Sequence, residues 1–423
     1  MLKMEKVIII GAGVAGLFAG RVLSKQGYDV TILEATDRLG GRIQTIRNSS
    51  FTQPVEKGVE FIHGNLPLTI ELLKEAAIEY KPVKGKMIRV VNDDWTTQDD
   101  FTLGWDELVK KMNSVEKDLT MDEFLERNFS EEKYNDLRTS VLRFANGFDL
   151  ADTSRASVLA LREEWMEEEH EQYRLTGGFD QLTNFLEKEC LRSGCIINTS
   201  SAVTEIKWQK NHVEVVTSNK TYDTAKVIVT ISLGLLQSER SIIFQPDIDH
   251  YFHAATKIGF GSVVKVLLEF SDAFWEQKTK GIGFLFTNEI IPTWWTQLPS
   301  SYPLLTGWAG GPQASTLENK DNQAILDLAR HSLSNVFQRT IEEINKLLVA
   351  SAVVNWKNDS YSNGAYSYDM VESIQAKKLL NTPIDDTIFF AGEGCYEGSS
   401  PGTVEAALVS AKNVAEKIVN GEL

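Results

Sequence analysis

An α/β fold, α+β over the whole chain, is predicted by three observations. A short apolar run at residues 6–10 leads into a glycine turn, a helix and a second apolar run that ends in an acid. A strand–glycine–helix order closes the chain over residues 387–418. Between them, charged helix-favouring stretches and strand-like runs fill a long middle. The 423 residues are too many for one core at the usual ~100–200 residues per domain, so two or three cores are expected.

Lys6-Val-Ile-Ile-Ile10 suits a buried parallel strand. Gly11-Ala12-Gly13-Val14-Ala15-Gly16 then opens a helix, which Gly27 stops. A strand over 28–33 ends in Glu34, followed by Ala35. In this order the glycines let the backbone approach a pyrophosphate at the helix N-terminus, and the acid accepts ribose hydroxyl hydrogen bonds. An acid at 34 disfavours a 2′-phosphate; the competing reading is a chance glycine turn in another α/β sheet. Asp37-Arg38-Leu39-Gly40-Gly41-Arg42 follows, where a second glycine pair allows another close approach and Arg42 offers a fork of donors. Two loops favour FAD over a simple NAD site, although a turn with a surface arginine is the plainer alternative. Near the far end, Thr387-Ile-Phe-Phe-Ala-Gly-Glu393 reads as a buried strand running into Gly392 and Glu393. Ser400-Pro401-Gly402-Thr403 opens a helix whose Val404, Leu408, Ala411, Ala415 and Ile418 form one apolar face. Its N-terminus suits the negative charge of a reduced flavin ring, and it closes the fold in either case.

Hydrophobic residues make up 42% and charged residues 24%, as in an ordinary globular protein. A net charge of −16 repels phosphate backbones and anionic lipid, so neither nucleic acid nor a membrane is an expected partner. Cys190, Cys195 and Cys395 make neither a disulfide framework nor a zinc site, so no metal is expected and a reducing, cytoplasmic setting fits. The apolar run at 7–10 is too short for a signal peptide, and no apolar stretch of about 20 residues exists to span a bilayer.

With these segments stand Gly58-Val59-Glu60-Phe61-Ile62-His63-Gly64, Thr176-Gly-Gly178, residues 227–236, Gly261-Ser-Val-Val-Lys265, the run from Trp356 to Tyr366, Ala391-Gly-Glu393 and Pro401-Gly-Thr-Val404. In this order they resemble the flavin-containing amine oxidase family, which includes monoamine oxidases, polyamine oxidases and lysine-specific histone demethylases. The resemblance covers nearly the whole chain. It implies a Rossmann-like FAD-binding domain built from 1–76, 191–239 and 366–423, with an inserted substrate domain of mixed sheet and helices from 77–190 and 240–365. Residues 77–190 are expected to be its helical part. The glycine loops, Glu34, Ala35, Arg38, Arg42, Gly58, Val59, Gly392, Glu393, Thr403 and Val404 are the implied cofactor contacts, with Val203 at the adenine and Trp356 beside the flavin.

Lys265 interrupts an apolar alternating run, so it needs a partner or water. In the family the matching lysine holds a water against flavin N5; an edge-strand lysine reaching solvent is the alternative. Tyr366 matches the aromatic that faces the amine, and core packing is the plainer role for Trp356. Where monoamine oxidases carry the flavin-linking cysteine this chain has Ala365, which implies noncovalent FAD. Thr403 replaces a cage tyrosine and widens the substrate site. Phe61 and His63 match the polyamine-oxidase side of the family, where the histidine faces substrate. Six glutamates lie between 163 and 171; such a run is a solvated face or attracts a distal ammonium.

The expected reaction is oxidation of an aliphatic amine or polyamine. Hydride passes from its α-carbon to flavin N5, the imine hydrolyses to an aldehyde, and O2 reoxidises the flavin to give H2O2. Lys265, Tyr366 and His63 are the expected catalytic residues. The alternatives are a flavin desaturase or protoporphyrinogen-type oxidase, which has no need of Lys265 and Tyr366 together, and a noncatalytic flavin-binding protein. A histone demethylase is disfavoured because no long coiled-coil insertion or chromatin-reading segment occurs. The sequence sets no oligomeric state.

Overall fold

The computed structural model describes residues 5–47, 49–98, 104–167, 171–238 and 241–421, and only the backbone of residue 167. Five parallel strands form one sheet in the order Ile196–Asn198, Asp29–Leu33, Lys6–Ile10, Lys226–Val229, Ile388–Phe390. The central strand is β-branched throughout its apolar run because both its faces are covered. Val7 and Ile9 enter one core with Leu17, Leu23, Leu408 and Ala411; Ile8 and Ile10 enter another with Val227, Val229, Phe390 and Val213. Each fully buried Val or Ile contributes roughly 1.5–3 kcal/mol, so the sheet rim that carries the glycine loops is rigidly held. The helix Asp180–Arg192, from the stretch assigned by resemblance to the substrate domain, packs Leu182, Leu186 and Cys190 into the first of these cores.

A seven-stranded sheet runs in the order Leu348–Asn355, Val263–Phe270, Leu304–Gly310, Thr293–Trp295, Ile282–Phe286, Lys86–Val91, Asp94–Gln98. All its pairs are antiparallel except Ile282–Phe286 with Lys86–Val91. One face is dry: Val264, Val266, Leu268, Leu305 and Trp294 pack on Ile325, Ala329 and Leu333 of the helix Asn322–Phe337. The opposite face carries Lys265. The stretch 77–190 is therefore not helical throughout, because two of these strands come from it. Ile88 and Val90, two residues apart, put both side chains into the dry core, a period that only a strand provides. The helical remainder, Trp105–Met112, Met121–Phe129, Asn135–Gly147 and Val158–Glu167, packs around Phe124, Phe129, Phe144 and Trp165. No helix among the described residues is long and apolar enough to cross a membrane.

Candidate active site

A cavity of about 1220 Å³ runs from the carboxyl ends of the parallel strands to the open face of the seven-stranded sheet. Every residue expected to touch cofactor or substrate lines it except Gly16, which lies behind the wall. A Cβ at Gly16 would sit 2.0 Å from the Gly11 carbonyl oxygen, so glycine there lets the helix start against the turn.

The dinucleotide end is built from backbone. The Gly40 N–H donates to Ala12 O at 2.9 Å, and Gly13 bridges Gly40, so the two glycine loops are stitched together. A Cβ at Gly13 would meet nothing within 4 Å, so its absence leaves room for a close approach at the start of the helix Val14–Lys25. Glu34 Oε2 accepts from Ala12 N–H at 2.8 Å, while Oε1 accepts from the Thr36 N–H at 2.9 Å and hydroxyl at 2.8 Å. The carboxylate is thereby fixed with lone-pair capacity to spare, beside Val203 in the cavity wall. Arg42 reaches across to Glu393, Nη1 to Oε1 at 2.8 Å, and the other Glu393 oxygen accepts from the Ser367 N–H and hydroxyl. Thr403 caps the helix Val404–Asn420, accepting from Ala406 N–H at 3.1 Å and donating to Ser400 O at 2.7 Å. Glycine loops with free space, a braced acid and a capped helix start fit an adenine dinucleotide of flavin type.

The other end carries the charged and aromatic groups. Lys265 lies on an interior strand, 1% exposed, so the edge-strand reading is overturned. Its Nζ donates to Glu60 Oε2 at 2.7 Å and Gly58 O at 3.2 Å. Glu60 Oε1 also accepts from Arg174 and Trp295 at 2.9 Å and from Gln297 at 3.3 Å. Burial opposes this carboxylate, but Lys265 and then Arg174 hold it down at about 2, so it is ionised at neutral pH. Trp356 Nε1 donates to Lys57 O, and the ring packs in one cluster with Leu150, Val263 and Ala365. The Tyr366 hydroxyl donates to Phe148 O, and Phe148 meets the His63 ring edge-on at 5.1 Å.

Burial pushes the His63 imidazole down to about 4, so it is neutral at pH 7, and its Nδ1 has no hydrogen-bond partner. Burial also raises the Tyr366 phenol well above its ordinary value, with Asp149, Glu164 and Glu393 adding to the effect. Behind the wall, burial lifts Glu56 to about 7 although Phe179 N–H and Thr45 donate to it. Cys395 is buried, and its thiol is pushed up to about 12, which makes it inert. Of the acidic run, Glu164 lines the cavity; the Glu167 side chain and residues 168–170 lie outside the described residues.

Sequence reasoning missed Glu60, Arg174, Trp295 and Phe148. Glu60 was findable: it and Lys265 are lone opposite charges in two apolar runs, which is the signature of a buried pair. Arg174, Trp295 and Phe148 had no local signal.

Fold and site together define a flavin-dependent oxidoreductase. Within that class the chain belongs to the flavin containing amine oxidoreductase family, whose model matches residues 14–419. It is similar to Lysine-specific histone demethylase 1 homolog 3 of Arabidopsis thaliana, 28% identical over 502 residues that cover 99% of this chain but 30% of that protein. Polyamine oxidase 2 of the same plant is 26% identical over 463 residues, covering 100% of this chain and 90% of that one. Among solved structures, wild-type putrescine oxidase bound to putrescine has a TM-score of 0.83 at 17% identity, over 99% of each chain, which is a likeness of fold.

Proposed function

We propose that this protein oxidises an aliphatic amine with noncovalently bound FAD. The observation that carries the reading is the buried Lys265 on the cavity face, ion-paired to Glu60, with Tyr366, Trp356 and His63 walling the same chamber. The Gly11–Gly16 and Arg38–Arg42 loops would hold the pyrophosphate, Glu34 the ribose, and Val203 the adenine. Bound there, flavin would supply the hydride acceptor for the amine α-carbon and the route of the electrons to O2, the products being an imine, then an aldehyde, and H2O2. The chain's own task is to orient the amine and keep water out. Lys265 is held by the Glu60 carboxylate and the Gly58 carbonyl, with an N–H left to offer to a water. Tyr366 and His63 are both neutral and accept a neutral amine without holding it as an ion. Ala365 offers no thiol for a covalent link.

Asp149 and Glu164 draw ammonium groups toward this end of the cavity, which together with Thr403 and His63 supports aliphatic amines, di- and polyamines among them, over aromatic monoamines. Steady-state peroxide release from octylamine, 1,8-diaminooctane and phenethylamine tests the reading: aliphatic amines should give peroxide and Lys265→Met should lower it. A best rate with phenethylamine, or peroxide release indifferent to Lys265, would count against it.

A further inference from the structure

The cavity-facing row of the seven-stranded sheet begins at Lys265 and reaches an arginine. Register pairs Lys265 with Trp308, Trp308 with Thr293, Thr293 with Phe286, and Phe286 with Arg89. All five line the cavity. Four strand gaps at ~4.8 Å each put the Arg89 backbone about 19 Å from that of Lys265. Ile88 and Val90 on either side point into the dry core, so the pleat sends the Arg89 side chain to the cavity. From the helix Asn135–Gly147, Arg143 lines the same wall and donates to Asn288 Oδ1 at 2.6 Å.

These two cations lack what cations in an acidic protein usually have. With a net charge of −16, carboxylates are abundant, yet among the described residues neither Arg89 nor Arg143 forms an ion pair, and the buried Arg89 Nε has no hydrogen-bond partner. Burial, and then the charge of Arg89, hold the Arg143 guanidinium below its ordinary value, so the two repel each other. An anion between them relieves that repulsion and matches the forked geometry of guanidinium donors. Of the acids of the cavity wall, Asp149 and Glu164 bear on Tyr366, and Glu289, next to the Asn288 that Arg143 bonds, turns Oε2 to the Asn335 amide. The chamber carries acids near the reacting aromatic and two unpaired arginines at its far end.

We propose that Arg89 and Arg143 bind an anionic group, a carboxylate or a phosphate, at the end of the amine substrate remote from the reacting carbon. This rests on the amine-oxidising reading above and narrows it: the tail is anionic rather than a second ammonium. The test compares kcat/KM of the holoenzyme for octylamine, 1,8-diaminooctane, 8-aminooctanoate and 8-aminooctyl phosphate, in wild type and in Arg89→Gln/Arg143→Gln. One of the two anionic amines should exceed octylamine by about tenfold or more in wild type, as a charge-assisted contact allows, and that ratio should collapse in the double variant. The carboxylate and phosphate arms identify the anion. A diamine preference, or equal values for octylamine and both anionic amines, overturns the proposal. Independently of turnover, octanoate and octyl phosphate titrated against the flavin spectrum should bind about tenfold more weakly to the double variant; equal Kd values overturn the subsite. If no amine reduces the flavin while anion binding still needs both arginines, the oxidase reading fails and the anion subsite stands.

Discussion

Removing one charge of the Lys265–Glu60 pair strands the other in a site that water scarcely reaches. The Nζ–Oε2 distance is 2.7 Å and the two side chains are 1% and 5% exposed. Breaking such a pair by deleting one partner costs about 3–5 kcal/mol. In Lys265→Met, Glu60 keeps Arg174, Trp295 and Gln297, so the cost belongs near the lower figure. In Glu60→Gln, both Lys265 and Arg174 lose their counter-charge, so it belongs near the upper one. The depression of Glu60 from 4.5 to about 2 gives a similar scale, about 3 kcal/mol at ~1.4 kcal/mol per pH unit. That stability is present above pH 4.5 and is lost as pH falls through about 2. Lys265→Met/Glu60→Gln leaves only Arg174 unpaired, so the double variant should cost about 2 kcal/mol less than the sum of the singles. Urea unfolding of the four proteins at pH 7.5 measures this. Additivity within about 0.5 kcal/mol would refute the pairing as an energetic unit.

Four further outcomes are expected. Glu34→Ala should weaken retention of flavin by roughly 1.5–3 kcal/mol, read by equilibrium dialysis, and acid should release yellow flavin from the wild-type precipitate; colour left in the pellet contradicts the noncovalent link. Glu56 titrates at about 7 in the fold against 4.5 when unfolded, so the folded state binds the extra proton and stability declines as pH rises between those values. Glu56→Gln should therefore stabilise the protein above pH 7 by up to about 3 kcal/mol and leave it nearly unchanged below pH 4.5, as thermal melts across pH would show. His63, held at about 4, contributes stability that is complete above pH 6.5 and declines as pH falls toward 4. Its ring should stay neutral by nitrogen NMR at pH 7, and a midpoint above 6 would contradict the burial argument.

The dinucleotide end was legible because its determinants are local. Val7–Ile10 alternate between two buried faces, and Gly11, with its positive φ, and Gly16, where a Cβ would strike the Gly11 carbonyl, mark a turn that excludes side chains; each signal sits within one short window. The chamber end was only half legible. Lys265 announced itself as a charge in an apolar strand, but its partner Glu60 lies 205 residues away in sequence. Arg89 looked like one more residue of a charged, helix-favouring stretch, and its place in the cavity follows from strand register across the sheet, which no local window encodes. Reading 77–190 as helical failed for the same reason: Ile88 and Val90 alternate over too few residues to outweigh the surrounding charge until the strand finds its neighbours.

The proposed reaction has an aliphatic amine deliver hydride within this chamber. Anaerobic mixing of the flavin-loaded protein with an octylamine series, monitored at the visible flavin band with the product taken for mass spectrometry, tests it most directly. Expected are bleaching in a single turnover, one equivalent of aldehyde or imine, and recovery of colour when air is admitted, with recovery slowed in Lys265→Met far more than bleaching. An unbleached flavin with every aliphatic amine, including those bearing a terminal anion, would contradict it.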